Sequence, residues 1–261
     1  MVYRLTISYR GTGYAGWQRQ ANALAVQQVV EEALEDLVGA PVRLVGASRT
    51  DAGVHARAQS AHLVLSRPFA LGGLVHGTNF RLPEDVRILA ADAMPPGFHA
   101  RRAALGKEYL FRLCRTRVVA PIEAPFVVAV PSNLDLEAMR RAMRALPGRH
   151  DFTAFAQSDG SHTQPFRRLF AATLDTRGRE VRLRFFGEGF LRGMVRALVG
   201  TLLEVGSGTR PPEEMAALLE GRAREQAGPS APAHGLTLER VFYPPAWRPL
   251  DSDRNRGLGL W

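Results

Sequence analysis

The sequence predicts an α+β fold in which antiparallel sheets are covered by a small number of helices. Segments such as residues 2–9 alternate apolar and polar side chains, which is typical of strands with one buried face. Residues 167–178 and 180–186 form two strand-like segments joined at Arg177 and Gly178, as in a hairpin. Helical periodicity is confined to a few separate segments, the clearest being residues 190–203. Hairpins with few covering helices favour antiparallel sheets over a doubly wound parallel sheet.

The first half of the chain begins with the strand at residues 2–9 and a glycine-rich loop. A helix is predicted over residues 26–37, because its apolar side chains fall on one face and Gly39 can end it. Three further strands are predicted, at residues 42–47, 60–66 and 85–94.

The second half starts with a strand at residues 106–115, followed by an amphipathic helix over residues 134–146 and the hairpin. Residues 190–203 then repeat apolar pairs every four residues, with Arg192 and Arg196 on another stripe of the predicted helix. A short helix within residues 208–221 and a strand at residues 238–244 complete this half.

These patterns predict two domains and a tail. The first domain comprises residues 1–104 and the second residues 105–247, with the boundary near the segment "MPPGFHARRAALG". Residues 248–261 show no periodicity and are interpreted as a loose tail.

The charge balance indicates a polyanionic partner. The chain has 34 basic and 25 acidic residues, a formal net charge of +9, and Lys107 is its single lysine. A GC-rich genome can explain arginine in place of lysine, but it does not explain the excess of bases over acids. Nucleic acid is therefore the first candidate partner.

The sequence also narrows the cellular setting and the class of site. A single cysteine, Cys114, excludes an intrachain disulfide framework and a zinc site with several cysteines. The N-terminal segment has no apolar signal core, and no apolar run is long enough to span a bilayer. We therefore expect a cytoplasmic protein without a membrane partner.

The segment "GTGYAG" matches the G-x-G-x-x-G pattern through Gly11, Gly13 and Gly16. A dinucleotide site needs this motif to open a helix, whereas here "WQRQANA" separates it from the helical periodicity. A nucleotide-dependent oxidoreductase is thus a weak alternative. The preferred interpretation is a flexible loop whose Tyr14, Trp17 and Arg19 are available for RNA contact.

Two other kinds of site have little support in the sequence. Asp51, His55, His62 and His99 could be gathered around a metal, but no recognised metal-ligand spacing appears. A Ser48–His55–Asp triad lacks a glycine-flanked nucleophile elbow. We therefore predict no metal.

The segment "ASRTDAGVHA", residues 47–56, places Asp51 two residues after Arg49. A carboxylate beside an arginine stays ionised and can act as a nucleophile, a general base or a metal ligand. The alternative is a turn stabilised by a salt bridge between these two residues, and spacing alone favours that alternative.

The motifs together resemble the TruA family of transfer-RNA pseudouridine synthases. "RTDAGVHA" at residues 49–56 resembles the family signature, and further family-like segments follow in the same order along nearly the whole chain, up to about residue 248. They are "GYAGWQRQ" (13–20), "FHAR" (98–101), "GKEYLFRL" (106–113), "HDFTAF" (150–155), "FLRGMVRALVGTLLEVG" (190–206) and "APAHGLTLERVFY" (231–243).

The resemblance implies isomerisation of uridine to pseudouridine at nucleotides 38–40, in the anticodon stem-loop of transfer RNA, without cofactor or metal. Asp51 would be the nucleophile that attacks ribose C1′ or uracil C6, and the sequence does not choose between them. Tyr109 would stack on the base and assist proton removal from C5, while Arg196 would pair with Asp51. Arg49 would fill the space left by the flipped nucleotide or contact its phosphate, and Leu236 would pack beside the uracil.

Further substrate-binding residues lie in the same motifs: Trp17, Arg19, His55, Phe98, His99 and Arg101. Three positions depart from the usual family residues, namely Ser48, His234 and Gly193, but none is a proposed catalytic residue.

The resemblance also implies an architecture and an assembly. Each half would carry a sheet like that of RNA-recognition domains, the two sheets would join into one long sheet with a central catalytic cleft, and the protein would be a homodimer. The main rival among function classes is a non-catalytic, basic RNA-binding module.

Overall fold

The computed structural model describes residues 1–157, 164–247 and 249–250. These residues form two compact units. Among the described residues, the first unit contains Met1–Leu105 and the chain from Arg240 to residue 250, and the second lies within Gly106–Glu239. Both units combine strands with helices, which confirms the mixed α and β fold class.

The first unit is built on an antiparallel sheet in which β1 lies between β3 and β4, while the short β2 pairs with β3. Tyr3, Leu5, Ile7 and Tyr9 are the buried face of β1, as the alternation predicts. The bounds are β1 Val2–Tyr9, α1 Val26–Val38, β2 Val45–Gly46, β3 His55–Val64, α2 Leu71–Arg81 and β4 Val86–Met94.

The second unit contains an antiparallel run of strands in the order β5, β9, β8, β7, with β6 parallel to β5. Helices α3 and α4 pack on each other. The bounds are β5 Gly106–Arg115, β6 Val128–Val130, α3 Leu136–Met143, β7 Gly148–Asp151, β8 Phe166–Arg177, β9 Glu180–Gly187, α4 Met194–Gly206 and α5 Glu214–Leu218. The last strand, β10 Leu236–Phe242, passes from the second unit into the first at Arg240.

Most predicted elements are present, and their differences have physical reasons. Gly39 ends α1 in a left-handed conformation with φ of 71°, as expected. The predicted strand at residues 42–47 is reduced to β2, and β3 begins five residues earlier than predicted. Helix α2 was not predicted, because its sequence LGGLVHGTNFR has three glycines and no clear apolar stripe.

The longest apolar repeat also needs a correction at its start. The pattern predicts a helix from Phe190, but α4 begins at Met194. Gly193 has φ of 72°, a left-handed conformation that interrupts a helix and suits glycine. This accounts for the glycine at position 193, one of the three departures from the family pattern noted in the sequence.

Two arginines share one glutamate partner on one face of the sheet in the second unit. Arg112 and Arg182 are opposite each other on β5 and β9, and both donate hydrogen bonds to Glu180 at 2.7 and 2.8 Å. Burial alone would raise the pKa of Glu180, but the hydrogen bonds and charges of these two guanidinium groups lower it to about 2. The carboxylate therefore separates two like charges that would otherwise repel.

We expect Glu180→Gln to lower the free energy of unfolding by about 1–2 kcal/mol at neutral pH. The pKa of Glu180 is lower in the folded than in the unfolded state. The extra free energy of unfolding of the wild type is therefore fully present above the unfolded pKa of 4.5, and it is lost as the pH falls towards 2. Urea unfolding of both proteins between pH 7 and pH 3 measures this, and a constant difference over that range would contradict it.

No helix in the described ranges is long and apolar enough to cross a bilayer. The predicted tail at residues 248–261 lies outside the described residues, apart from residues 249–250.

Candidate active site

Asp51 lies in a loop that connects β2 to β3 in the first unit. The loop turns within four residues, since the N–H of Val54 donates to the carbonyl of Asp51 at 3.1 Å and Gly53 has φ of 78°. Glycine at position 53 allows that left-handed conformation without strain. Asp51 itself is half-buried.

The strand side of the loop is fixed by a buried glutamine. Gln59 on β3 has no exposed surface, and its amide donates to the carbonyl of Ser48 at 2.6 Å and accepts from the N–H of Ser48 at 3.3 Å. The hydroxyl groups of Tyr9 and Thr50 share a hydrogen bond of 2.8 Å. The two residues on either side of Arg49 are thus held by the sheet.

The glycine-rich loop packs directly on the Asp51 loop. The N–H of Trp17 donates to the carbonyl of Thr50 at 3.1 Å, and the N–H of Gly53 donates to the carbonyl of Tyr14 at 3.3 Å. A Cβ atom on Gly16, whose φ is 93°, would lie 2.5 Å from the carbonyl oxygen of Thr50. A Cβ on Gly11 would overlap the carbonyl of Val54. These glycines are therefore required for close backbone approach.

This packing differs from the predicted loop in one respect, the exposure of Trp17. Trp17 is 1% exposed and stacks on Tyr9, with 6.0 Å between ring centroids. The Tyr14 hydroxyl donates to Asp85 at 2.7 Å, and Arg19 forms an ion pair with Glu31 at 3.2 Å. In this conformation Trp17 offers RNA almost no surface, whereas the Arg19 side chain is 46% exposed and its role in RNA contact stays a prediction.

His55 also has a positioning contact. Its ring is 2% exposed, and Nδ1 accepts the N–H of Gly11 at 3.0 Å. A dinucleotide site would need free amides at a helix start, whereas this amide is occupied and α1 begins only at Val26. The geometry thus does not support nucleotide binding at Gly11.

The "FHAR" residues separate into buried and exposed members. Phe98 is 3% exposed and packs against Tyr243 and Trp247. His99 Nδ1 accepts the N–H of Arg101 at 3.3 Å, and burial followed by the charge of Arg102 lowers the pKa of His99. A neutral imidazole can keep accepting this hydrogen bond. The Arg101 side chain is exposed.

The second unit holds the other predicted site residues. Tyr109 is 5% exposed, and its ring meets Phe190 edge to face at 5.0 Å. Arg196 Nε donates to the carbonyl of Ala231 at 2.8 Å, and the Ala231 N–H donates back to the Arg196 carbonyl at 2.9 Å. Leu236 is 4% exposed at the start of β10. Each of these side chains therefore has an ordered setting within its own unit.

Sequence reasoning missed Gln59 and Gln27, the buried amides that support the loops. The burial of Gln59 becomes apparent only in the structure, where it lies within the mostly buried stretch of β3. Among the described residues, no group of three or more histidine, cysteine, aspartate or glutamate side chains is placed to hold a metal ion.

Comparison with known proteins agrees with these motifs. A family model described as tRNA pseudouridine synthase matches residues 142–244. A tRNA pseudouridine synthase A of Syntrophotalea carbinolica is 48% identical over 244 residues, covering 94% of this chain and 97% of that protein. Enzymes of the same name from Pelobacter propionicus and Methylobacterium nodulans are 45% and 42% identical, covering 92% and 94% of this chain and 98% and 96% of their own. This chain therefore belongs to the tRNA pseudouridine synthase A family, whose members are isomerases.

Proposed function

We propose that this chain isomerises uridine to pseudouridine at nucleotides 38–40 of the transfer RNA anticodon stem-loop, with Asp51 as the nucleophile. The observation that carries the proposal is the set of hydrogen bonds that positions the Asp51 loop. Hydrogen bonds at Ser48, Thr50 and Gly53 fix the loop on both sides of this carboxylate. A nucleophile held in one geometry loses less entropy on the way to the transition state.

The reaction exchanges one bond to the ribose for another. Asp51 attacks C1′ and displaces uracil, or adds to C6 of the base, and in either route the C1′–N1 bond breaks. The base rotates, C5 bonds to C1′ as the bond to the carboxylate breaks, the proton on C5 is removed, and N1 takes up a proton, so the product is an isomer of the substrate. No group leaves the polymer and no oxidant is needed, so a nucleophile and a proton acceptor suffice.

Other residues take the roles implied by the family resemblance. Tyr109 stacks on the base and assists removal of the C5 proton, and Leu236 packs beside the uracil. Arg196 supplies positive charge that keeps a nucleophilic carboxylate ionised. Arg49, exposed two residues before Asp51, contacts the phosphate of the flipped nucleotide or fills the space that it leaves.

Base flipping accounts for the basic composition. A base must leave its stack before its C1′ and C5 can be reached, which costs a few kcal/mol. Arginine contacts to phosphates and stacking on an aromatic ring can offset this cost. A net charge of +9 supplies the attraction to the polyanion. We also propose that the protein acts in the cytoplasm as a homodimer whose second copy helps to hold the transfer RNA.

Mapping of pseudouridine tests the proposal and its rival. Unmodified transfer RNA transcripts with a single uridine at position 38, 39 or 40 are incubated with the protein, and each position is assayed. Conversion of uridine at positions 38, 39 or 40, without conversion of the other uridines in the same transcripts, supports the proposal. Tight binding without any conversion would indicate a non-catalytic RNA-binding module instead.

A further inference from the structure

Arginines of the first unit divide into paired and unpaired groups. Arg4 pairs with Asp92 at 2.7 Å, Arg19 pairs with Glu31, and Arg81 pairs with Asp36. In the described part of the chain, the guanidinium groups of several exposed arginines have neither a carboxylate partner nor a hydrogen bond, and Arg43, Arg49 and Arg101 are among them.

These three arginines line one cleft. The other lining residues are Gln18, Gln27 and the segment 44–46. No carboxylate is among these lining residues, and none of the three arginines forms an ion pair in the described structure. Exposed like charges repel, and an arrangement that gathers three of them favours an anion as a partner.

The wall of the cleft is built from a buried hydrogen-bond network. Gln27 is 5% exposed and donates to Glu31 at 2.9 Å and to the carbonyl of Leu44 at 3.0 Å. Its amide oxygen accepts from the Gln18 side chain at 2.7 Å. Glu31 accepts the N–H of Leu44 at 2.9 Å, which fixes the residue next to Arg43.

The same kind of anchoring holds the backbone of the other two arginines. Gln59 binds both backbone groups of Ser48, the residue before Arg49. Nδ1 of His99 accepts the N–H of Arg101 and of Arg102, each at 3.3 Å. The backbone is therefore ordered at three points from which cationic side chains extend, and such preorganisation lowers the entropic cost of binding.

We propose that this cleft binds a backbone phosphate of the RNA, contacted by Arg43, Arg49 and Arg101, and so sets the register of the strand that passes the Asp51 loop. The cleft volume of about 160 Å³ suits one phosphate group, since pockets for larger organic ligands begin at about 300 Å³. Guanidinium groups bind phosphate oxygens through paired hydrogen bonds. The inference rests on the proposed function for the identity of the RNA.

The test is the salt dependence of binding to an unmodified transfer RNA transcript. Arg43→Gln, Arg101→Gln and the double variant are compared with the wild type and with Arg102→Gln. Arg102 is a matched control, because it is exposed, neighbours Arg101 and lies outside the cleft. We expect each cleft variant to raise Kd roughly five- to tenfold at low salt and to reduce the slope of log Kd against log salt by about 1.

Two further arms sharpen the result. Arg43→Lys keeps the charge and should restore the salt slope. A transcript with cytidine at positions 38–40 cannot be isomerised. The arginine variants should still bind it more weakly than the wild type does, by the same factor as for the unmodified transcript, because phosphate contacts do not depend on the base. If the double variant keeps the wild-type Kd and slope, or if Arg102→Gln loses as much affinity as Arg43→Gln, the cleft is not a phosphate site. If the wild type forms no pseudouridine but the arginine variants show the expected losses of affinity, the proposed function is wrong and the phosphate site in the cleft is still supported.

Discussion

Asp51→Asn is expected to slow pseudouridine formation by about 10⁴-fold or more under single-turnover conditions. The amide is nearly the same size as the carboxylate, but it carries no charge and is a very poor nucleophile. The loop contacts at Ser48, Thr50 and Gly53 all involve other residues and remain available. Nucleoside chromatography of transfer RNA incubated with excess protein measures the rate.

Two controls separate chemistry from binding and charge. Asp36→Asn removes a carboxylate on α1 that is 71% exposed and pairs with Arg81, so its rate should stay close to that of the wild type. The Kd of Asp51→Asn for transfer RNA should change only a few-fold, because a nucleophile contributes mainly to the transition state. A rate for Asp51→Asn within tenfold of the wild type would rule out Asp51 as the nucleophile.

The glycine-rich loop should show the largest effects on stability. Gly11→Ala and Gly16→Ala are each expected to lower the free energy of unfolding by about 3 kcal/mol or more. The added methyl group would overlap the Val54 carbonyl in the first variant and approach the Thr50 carbonyl in the second, where φ is also unfavourable. Urea unfolding of the purified variants gives the difference.

Gly13→Ala is the matched control in the same loop. A Cβ at position 13 meets no atom within 4 Å, and its φ is not positive. We therefore expect its stability to stay within about 0.5 kcal/mol of the wild type. In a dinucleotide site the second glycine would be needed for approach of the pyrophosphate. Equal losses at all three glycines would contradict the packing account.

Local patterns of the sequence were sufficient for elements whose periodicity is strong. Alternation in β1 and the glycine after α1 follow from short-range steric preferences, and the structure confirms them. Helix α2 was missed because nothing local favours it, and the boundary at Gly193 depends on one backbone conformation. Short strands such as β6 and β7 depend on partners far away in sequence.

The candidate site was predictable only in part. The order of motifs identified the family, and the comparisons confirm it. The roles of Asp51, Tyr109, Arg196 and Arg49 stay predictions. What the sequence could not provide is the set of long-range contacts: Gln59 with Ser48, Gly16 with Thr50, and the convergence of Arg43 with Arg101. Each joins residues at least ten positions apart through geometry that no local pattern encodes.

Release of tritium from transfer RNA labelled at uridine C5 tests the central claim most directly, since isomerisation replaces the C5 hydrogen with the bond to C1′. We predict that the wild type releases tritium in proportion to the pseudouridine formed, and that Asp51→Asn releases none above background while still binding the RNA. No release by a wild type that binds the same RNA would contradict the account.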